Sequence, residues 1–166
     1  MSKTEIREKH DGNISGGPAD IRLWLRLLGC STVIEKRLRR KLAERSSTLP
    51  RFDVMAALER HPEGLTMSAL SRQLFVSNGN ITHLVHWLVK EGLVQIEQCS
   101  RDGRSTITRL TPKGGDTFAV LSREHHQWVE AMFASFGADD KEGLFALLGK
   151  LRASVEDSNE ETVRAA

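Results

Sequence analysis

Apolar residues recur at helical spacing along most of the chain, and polar segments separate the runs. From Ala19, this spacing predicts a long first helix that no residue interrupts except Gly29, with an apolar side made of Ile21, Leu25, Leu28, Leu38 and Leu42. Leu23, Trp24 and Leu27 make the first half apolar on further sides. Because a helix that is apolar on several faces needs more than one partner surface, we expect this half to lie at a subunit interface.

Three shorter helices are predicted to follow. The first of them has Pro50 in its opening turn and ends near His61. Thr66 is the expected cap of the second, Met67 to Phe75. Ser77 is the expected cap of the third, which Gly92 closes and which has a buried stripe of Ile81, Leu84, Val85 and Leu88.

The period then changes from helical to alternating. Leu93, Val94 and Ile96 predict a strand, residues 99–104 a tight loop, and residues 105–111 a returning strand. Two further helices are expected, one beginning at Pro112 and one capped by Asp139. Two short helices separated by only Val76-Ser77 and followed by a hairpin form a winged helix-turn-helix. The sequence therefore predicts a mainly α fold with one small wing.

The composition is that of a soluble globular protein with one domain or two closely joined subdomains. The 166 residues are 39% hydrophobic and 28% charged, with a formal net charge of +2. This near-neutral total hides an uneven distribution, because residues 21–45 carry eight basic and two acidic side chains. Beyond Gly137 the acidic residues outnumber the basic ones. The distribution of charge is thus more informative than its sum.

Cysteine usage and hydropathy indicate a cytoplasmic protein. Cys30 and Cys99 form neither a disulfide framework nor a metal-ligand spacing, so reduced thiols are expected. No apolar run approaches the ~20 residues of a membrane span. The N-terminus lacks the apolar segment of a secretory signal.

The beginning of the fourth predicted helix carries the candidate DNA-reading side chains. In a helix-turn-helix, the second helix enters the major groove with its N-terminal residues. Asparagine can bond an adenine edge in a bidentate manner, and Ser or Thr can contact bases or phosphates. The alternative is that Ser77 only caps the helix and the asparagines are solvated, but the whole cluster before an apolar stripe favours DNA reading. The candidates are Ser77, Asn78, Asn80, Thr82 and His83, and Gly79 leaves room for close approach.

The predicted hairpin tip carries Arg101, Asp102 and Arg104. An aspartate two residues before an arginine can brace the guanidinium. An arginine extended from a wing can enter a narrow minor groove, where the negative potential is deepest. Taken alone, these residues also fit an ordinary polar turn; together with the preceding helix they favour a DNA-binding wing.

The first helix carries candidate ligand-binding residues. The basic run from Lys36 to Lys41 fits a solvated helix face, contact with the DNA backbone, or capture of a phosphate-bearing ligand. Trp24 and Arg26, expected in the buried upstream part, could bind an aromatic acid, although a core tryptophan is the simpler interpretation.

Other chemistry is not favoured. His83 and His86 lie one turn apart, but no third metal ligand is nearby in sequence. The chain shows no recognisable paired carboxylates, Ser-His-Asp arrangement or Gly-rich phosphate loop, so we expect no enzyme, no cofactor and no metal.

The segment VSNGNITHLVHWLVKEGLV followed by RDGRSTITRLTPKG resembles the MarR family of transcriptional regulators, and the resemblance extends from about Ile21 to Val155. It implies a homodimer built from the first and the last two helices, bound to a palindromic site. It also implies Ser77, Asn80, Thr82 and His83 as major-groove residues and Arg104 as the minor-groove residue. His83 departs from the arginine often found there, and Ile96 and Glu97 stand where basic residues are common.

Within this family, LWLRLL, LPRFDVMAAL and SNGN are most similar to regulators of aromatic-acid (hydroxycinnamate-type) catabolism, some of which respond to a coenzyme A thioester. Such an effector would give Trp24, Arg26, Arg37 and Arg40 a ligand-binding role. The implied domains are a flexible arm (1–18), a helical dimerisation region (19–48 and 112–156), a winged helix-turn-helix (49–111) and a flexible acidic tail (157–166).

The sequence thus leads us to expect a ligand-responsive, homodimeric DNA-binding repressor, released from its operator by an aromatic acid or its coenzyme A thioester. Two rivals remain. A redox switch would use Cys30 or Cys99 to control the same DNA binding. A winged helix used only for protein interaction would show no salt-sensitive DNA binding.

Overall fold

The computed structural model of the protein describes residues 18–98 and 106–164, with side chains up to residue 156. The fold is mainly helical with one two-stranded sheet, as predicted. Its elements are α1 (Ala19–Ala43), α2 (Leu49–Glu59), α3 (Met67–Leu74), α4 (Asn78–Lys90), β1 (Val94–Gln98), β2 (Thr106–Leu110), α5 (Pro112–Phe133) and α6 (Ala138–Arg164).

One hydrophobic core joins α2, α3, α4 and the hairpin. Met55 of α2 and Leu70 of α3 are essentially inaccessible to solvent, as is the α4 stripe of Ile81, Val85 and Leu88. Leu42 adds the end of α1 to this core, and Phe118 and Leu121 add α5. This burial holds α4 in place on one side only.

The helix ends follow the predicted capping chemistry. Thr66 Oγ1 accepts a hydrogen bond from the Ala69 amide at 3.2 Å, and Ser77 Oγ accepts one from the Asn80 amide at 3.4 Å. Gly92 adopts φ +72°, and the Leu93 amide reaches back to the Leu88 carbonyl oxygen at 2.9 Å. All three predicted caps are confirmed.

The wing contains an isolated β-bridge that the sequence did not indicate. β1 and β2 pair antiparallel, with Val94 opposite Leu110 and Gln98 opposite Thr106. On the other side of β2, Leu65 exchanges two backbone hydrogen bonds with Thr108, at 3.0 and 2.8 Å. The hairpin is therefore tied to the residue just before the cap of α3.

The chain divides into two compact units, residues 1–128 and 129–166. In the first unit, Trp24 is 59% exposed, so its expected burial is not found within the single chain. Ile21, Leu23 and Leu28 on the same helix are also about half exposed. In the second unit, the apolar side chains of α6 are exposed, including Phe145 and Leu147.

The last helix differs from the prediction at both ends. α6 begins at Ala138, so Asp139 lies inside its first turn rather than at the cap. A carboxylate there still interacts favourably with the helix N-terminus. The helix continues to Arg164 and so passes residue 156, where a flexible tail was expected to begin. No helix in the described part of the chain is long and apolar enough to cross a membrane.

Candidate nucleic-acid interface

The turn between α3 and α4 fixes the angle at which α4 leaves the core. The turn comprises Phe75, Val76 and Ser77, and Phe75 adopts the left-handed conformation with φ +53°. The Val76 amide donates to the Ser71 carbonyl oxygen at 3.2 Å, and Ser71 Oγ donates to the Val76 carbonyl oxygen at 2.6 Å. These two bonds close the turn from both sides.

The solvent-facing side of α4 gathers the residues predicted to read DNA. Ser77, Asn78, Asn80, Thr82 and His83 are all exposed and lie within the first two turns, so the structure brings the five together. The side directly opposite the core consists of Gly79, His83, His86 and Lys90, which follow one another at intervals of four, three and four residues. His86 therefore shares the outward face with His83, which differs from the less groove-facing position expected for it.

Local hydrogen bonds decide what two of these side chains can offer. Ser77 Oγ accepts the capping bond, so its hydroxyl hydrogen remains available for an outside acceptor. Thr82 Oγ1 donates to the Asn78 carbonyl oxygen at 2.9 Å, so it presents only lone pairs and a methyl group outward. Among the described residues, no side-chain hydrogen bond occupies Asn78, Asn80 or His83. These three are free for an external partner.

Gly79 leaves an open space at the centre of this face. A Cβ built at this position would have no heavy atom within 4 Å. The folded chain therefore places no packing demand on a glycine here, although glycine lowers helix stability. The missing side chain instead allows another molecule to approach the backbone of the first turn.

Charge on this surface suits a polyanion. Residues 64–90 contain no Asp or Glu, whereas they include Arg72 and Lys90, both exposed. Arg51 of α2 adds a further cation, with its guanidinium carbon 3.2 Å from the ring centroid of Trp87 on α4. Sequence reasoning missed Arg51, because nothing local to α2 indicates its aromatic partner on α4.

The wing residues predicted to enter the minor groove, Arg101 and Arg104, lie outside the described residues, as does Cys99. The described base of the wing has its own ion pair. Arg109 donates through Nη1 to Glu97 and through Nε and Nη2 to the Glu63 carbonyl oxygen, at 3.0 and 2.7 Å. The acidic charge of Glu97 is thus matched by Arg109 within the wing.

Known proteins share this arrangement. Residues 48–105 match the MarR family model. This segment resembles the winged helix of MarR-family proteins. Over 104 residues the chain is 30% identical to the transcriptional activatory protein BadR of Rhodopseudomonas palustris, an alignment covering 61% of this chain and 59% of BadR. The chain therefore matches well under two thirds of that relative's length.

Solved MarR structures extend the likeness to most of the chain. A MarR family transcriptional regulator from Silicibacter pomeroyi is 29% identical, with a TM-score of 0.69 over 93% of this chain and 99% of that one. The S. aureus MepR–DNA complex shows the same fold at 16% identity, with a TM-score of 0.70 over 83% of this chain and 99% of MepR. BadR and the Silicibacter pomeroyi protein are both named as proteins that control transcription.

The chain carries its candidate ligand-binding residues on two different sides of α1. Arg26, Arg37 and Arg40 are exposed and fall on one side at helical spacing, without an ion pair among the described residues. Trp24 lies two residues before Arg26, nearly half a turn away around the helix. Within one chain Trp24 therefore lies apart from the three arginines, and a ligand site that they share stays a prediction. Their neighbours Arg39 and Lys41 pair with Glu35 and Glu44.

In the described part of the chain, no three His, Cys, Asp or Glu residues are grouped so that they could hold a metal ion. His83 and His86 share a face of α4, but no third ligand joins them there.

Proposed function

We propose that the chain is a homodimeric, ligand-responsive transcriptional regulator of the MarR family that places α4 in the major groove of DNA. The observation that carries this proposal is the two-sided character of α4. Its inner side, with Ile81, Val85 and Leu88, is completely buried, whereas its outer side is polar, acid-free and without internal partners at the N-terminal end. A helix held rigidly by one side and chemically unsatisfied on the other is suited to reading a groove.

Each reading residue has a distinct chemical role in this proposal. Asn78 and Asn80 can form bidentate contacts with adenine, and His83 can reach a base edge or a phosphate. Ser77 donates its free hydroxyl hydrogen, and Thr82 offers its methyl group to a thymine. Arg101 and Arg104 would follow the minor groove from the wing.

Exposed apolar surface supports a homodimer. Ile21, Trp24 and Leu28 on α1, and separately Phe145 and Leu147 on α6, expose between 48% and 81% of their surface in the single chain. Large apolar side chains clustered on a surface mark interaction sites. Two-fold pairing would place the two α4 helices about one DNA turn apart, ~34 Å, over a palindromic operator.

The effector we propose is an aromatic acid or its coenzyme A thioester. Arg26, Arg37 and Arg40 provide three exposed cations that form no ion pair with any described residue, and such cations suit the phosphates of coenzyme A. Trp24, on another side of the helix, would contribute to the dimer surface or to a site completed by the partner. Such a ligand acts only through different affinities for the DNA-competent and DNA-incompetent conformations.

The test is titration of the purified protein with DNA upstream of its own gene, at two salt concentrations, with and without aromatic acids and their coenzyme A thioesters. Specific, salt-sensitive binding that a thioester releases would support both the DNA and the effector assignments. Specific binding that a thioester strengthens would support the effector assignment but would indicate activation instead of repression. BadR is named as a transcriptional activatory protein. Asn80→Ala should weaken binding, whereas Gln127→Ala, an exposed amide on α5, serves as the matched control. No specific binding at either salt concentration would contradict the proposal.

A thiol-based switch is the second candidate, because Cys30 is exposed on α1. Cys99 lies outside the described residues. Replacing both cysteines by Ser and measuring operator binding with and without peroxide distinguishes the two mechanisms. If peroxide releases the wild type from the operator but does not release the double variant, redox control is established.

A further inference from the structure

Phe75 is the most exposed large apolar side chain of the described residues. It lies in the turn between α3 and α4, and 94% of its surface is accessible to solvent. Its backbone has φ +53°, in the left-handed region. The combination of a strained backbone and an unpacked aromatic ring requires an explanation.

The fold gains nothing from an aromatic residue at this position. Phe75 follows the last residue of α3, where a left-handed residue ends a helix and glycine is the usual choice. A bulky side chain is unfavourable in that conformation. Because the ring is almost fully exposed, no burial within the chain offsets the strain.

The surroundings of Phe75 identify the surface that covers it. The turn leads directly into the reading face, and the next exposed residues along the chain are Ser77 and Asn78. Arg72, one turn earlier on α3, is exposed and basic, and residues 64–90 contain no acidic side chain. A surface of this kind favours nucleic acid over a protein partner, since charge complementarity steers an anionic backbone toward it.

We propose that Phe75 is an apolar DNA contact, which packs on deoxyribose and on the 5-methyl group of a thymine at the edge of the major groove. Apolar side chains read thymine through this methyl group. The inference rests on the proposed DNA-binding function and adds a specificity-determining residue to it. A second copy of the chain or another protein are the competing occupants.

The first test compares fold stability with DNA affinity. In Phe75→Gly and Phe75→Asn, both compatible with the left-handed conformation, we expect the thermal midpoint to stay equal or rise by about 2–4 °C. Operator affinity should fall about tenfold, while the slope of affinity against salt stays the same because no phosphate contact is lost. Phe75→Leu should retain most of the affinity.

The second test identifies the contacted group. Replacing individual operator thymines by deoxyuridine removes one methyl group at a time. At the contacted position, this replacement should weaken DNA binding by the wild type several-fold and leave binding by Phe75→Gly unchanged. Such a non-additive pattern indicates direct contact.

The outcomes separate this inference from the function on which it rests. If the wild type binds specifically and Phe75→Gly binds equally well, Phe75 is not a DNA contact although the regulator assignment stands. A change in oligomeric state at unchanged operator affinity would assign the residue to a second copy and overturn the inference. If the wild type shows no specific binding, both proposals fail.

Discussion

Thr108→Val should stabilise the protein. Thr108 is completely buried in β2, and its Oγ1 has no hydrogen-bond partner among the described residues. Its backbone amide and carbonyl oxygen are bonded to Leu65, at 2.8 and 3.0 Å, so the side chain is not needed to hold the strand. Valine has nearly the same shape and adds no unsatisfied polar atom.

The expected magnitude follows from the desolvation of the hydroxyl. A buried polar group without a partner destabilises the folded state by about 1–3 kcal/mol. We expect about 1–2 kcal/mol of added stability, because the substitution creates no cavity. For a chain of this size that corresponds to a rise of about 2–8 °C in the thermal midpoint.

Thr111→Val is the matched control, and its effect should have the opposite sign. Thr111 Oγ1 donates to the Gly92 carbonyl oxygen at 2.7 Å and accepts from the Gly114 amide at 3.0 Å. Valine leaves both groups without this partner and removes the cap of α5. The loss should be about 1–2 kcal/mol.

Thermal and denaturant unfolding measure the stability of both variants. All samples need the same protein concentration, because the stability of the proposed dimer would depend on it. A lower midpoint for Thr108→Val than for the wild type would refute the argument. It would mean that the hydroxyl makes an interaction that stabilises the folded wing.

Four further predictions follow from other sites. Gly79→Ala should raise helix stability by about 0.5–1 kcal/mol, because the added Cβ meets open space. The same variant should bind the operator about tenfold more weakly, and calorimetry and titration on one preparation would measure both effects. Ser46→Gly should add about 0.5–1 kcal/mol in denaturant unfolding, because Ser46, in the turn after α1, adopts the left-handed conformation with φ +55°. Burial lowers the pKa of His125, which stacks on Phe52 at 4.6 Å. The unfolded chain therefore binds a proton at His125 more readily than the folded protein does. The free energy of unfolding should be highest above the ordinary pKa of about 6.5 and should decline as the pH falls below it. His125→Phe should reduce that decline in midpoints measured at about pH 7.5 and 5.5. Arg104→Ala should lower operator affinity at fixed salt while the protein remains a folded dimer by sedimentation; unchanged affinity would contradict the wing assignment.

The features that could be predicted from the sequence are those set by nearby residues. The stripe of Ile81, Val85 and Leu88 appears directly in the spacing of the chain, and the caps at Thr66 and Ser77 depend on atoms three residues away. Local chemistry of this kind does not need the rest of the fold.

The features that were missed depend on distant partners or on exposure. Leu65 forms its β-bridge only because Thr108 lies beside it, and Arg51 contacts an aromatic ring only because Trp87 lies beside it. Phe75 is the opposite case, because a large apolar residue is ordinarily expected in the core and its exposure depends on the turn geometry. Helical spacing alone could have separated Trp24 from Arg26 and placed His86 beside His83.

The charge of the reading surface suggests how such a regulator would release DNA. Sequence-independent affinity grows with the number of phosphates that basic side chains neutralise. The α3–α4 segment, residues 64–90, contributes only Arg72 and Lys90 as fixed cations. Its affinity would therefore depend mainly on short-range contacts by uncharged groups, which require accurate placement. In the proposed regulator, a ligand that shifts the distance between two reading helices by a small amount would remove those contacts, and only the two cations of this segment would still attract the phosphate backbone. The small number of fixed charges in this segment would thus make release sensitive to geometry.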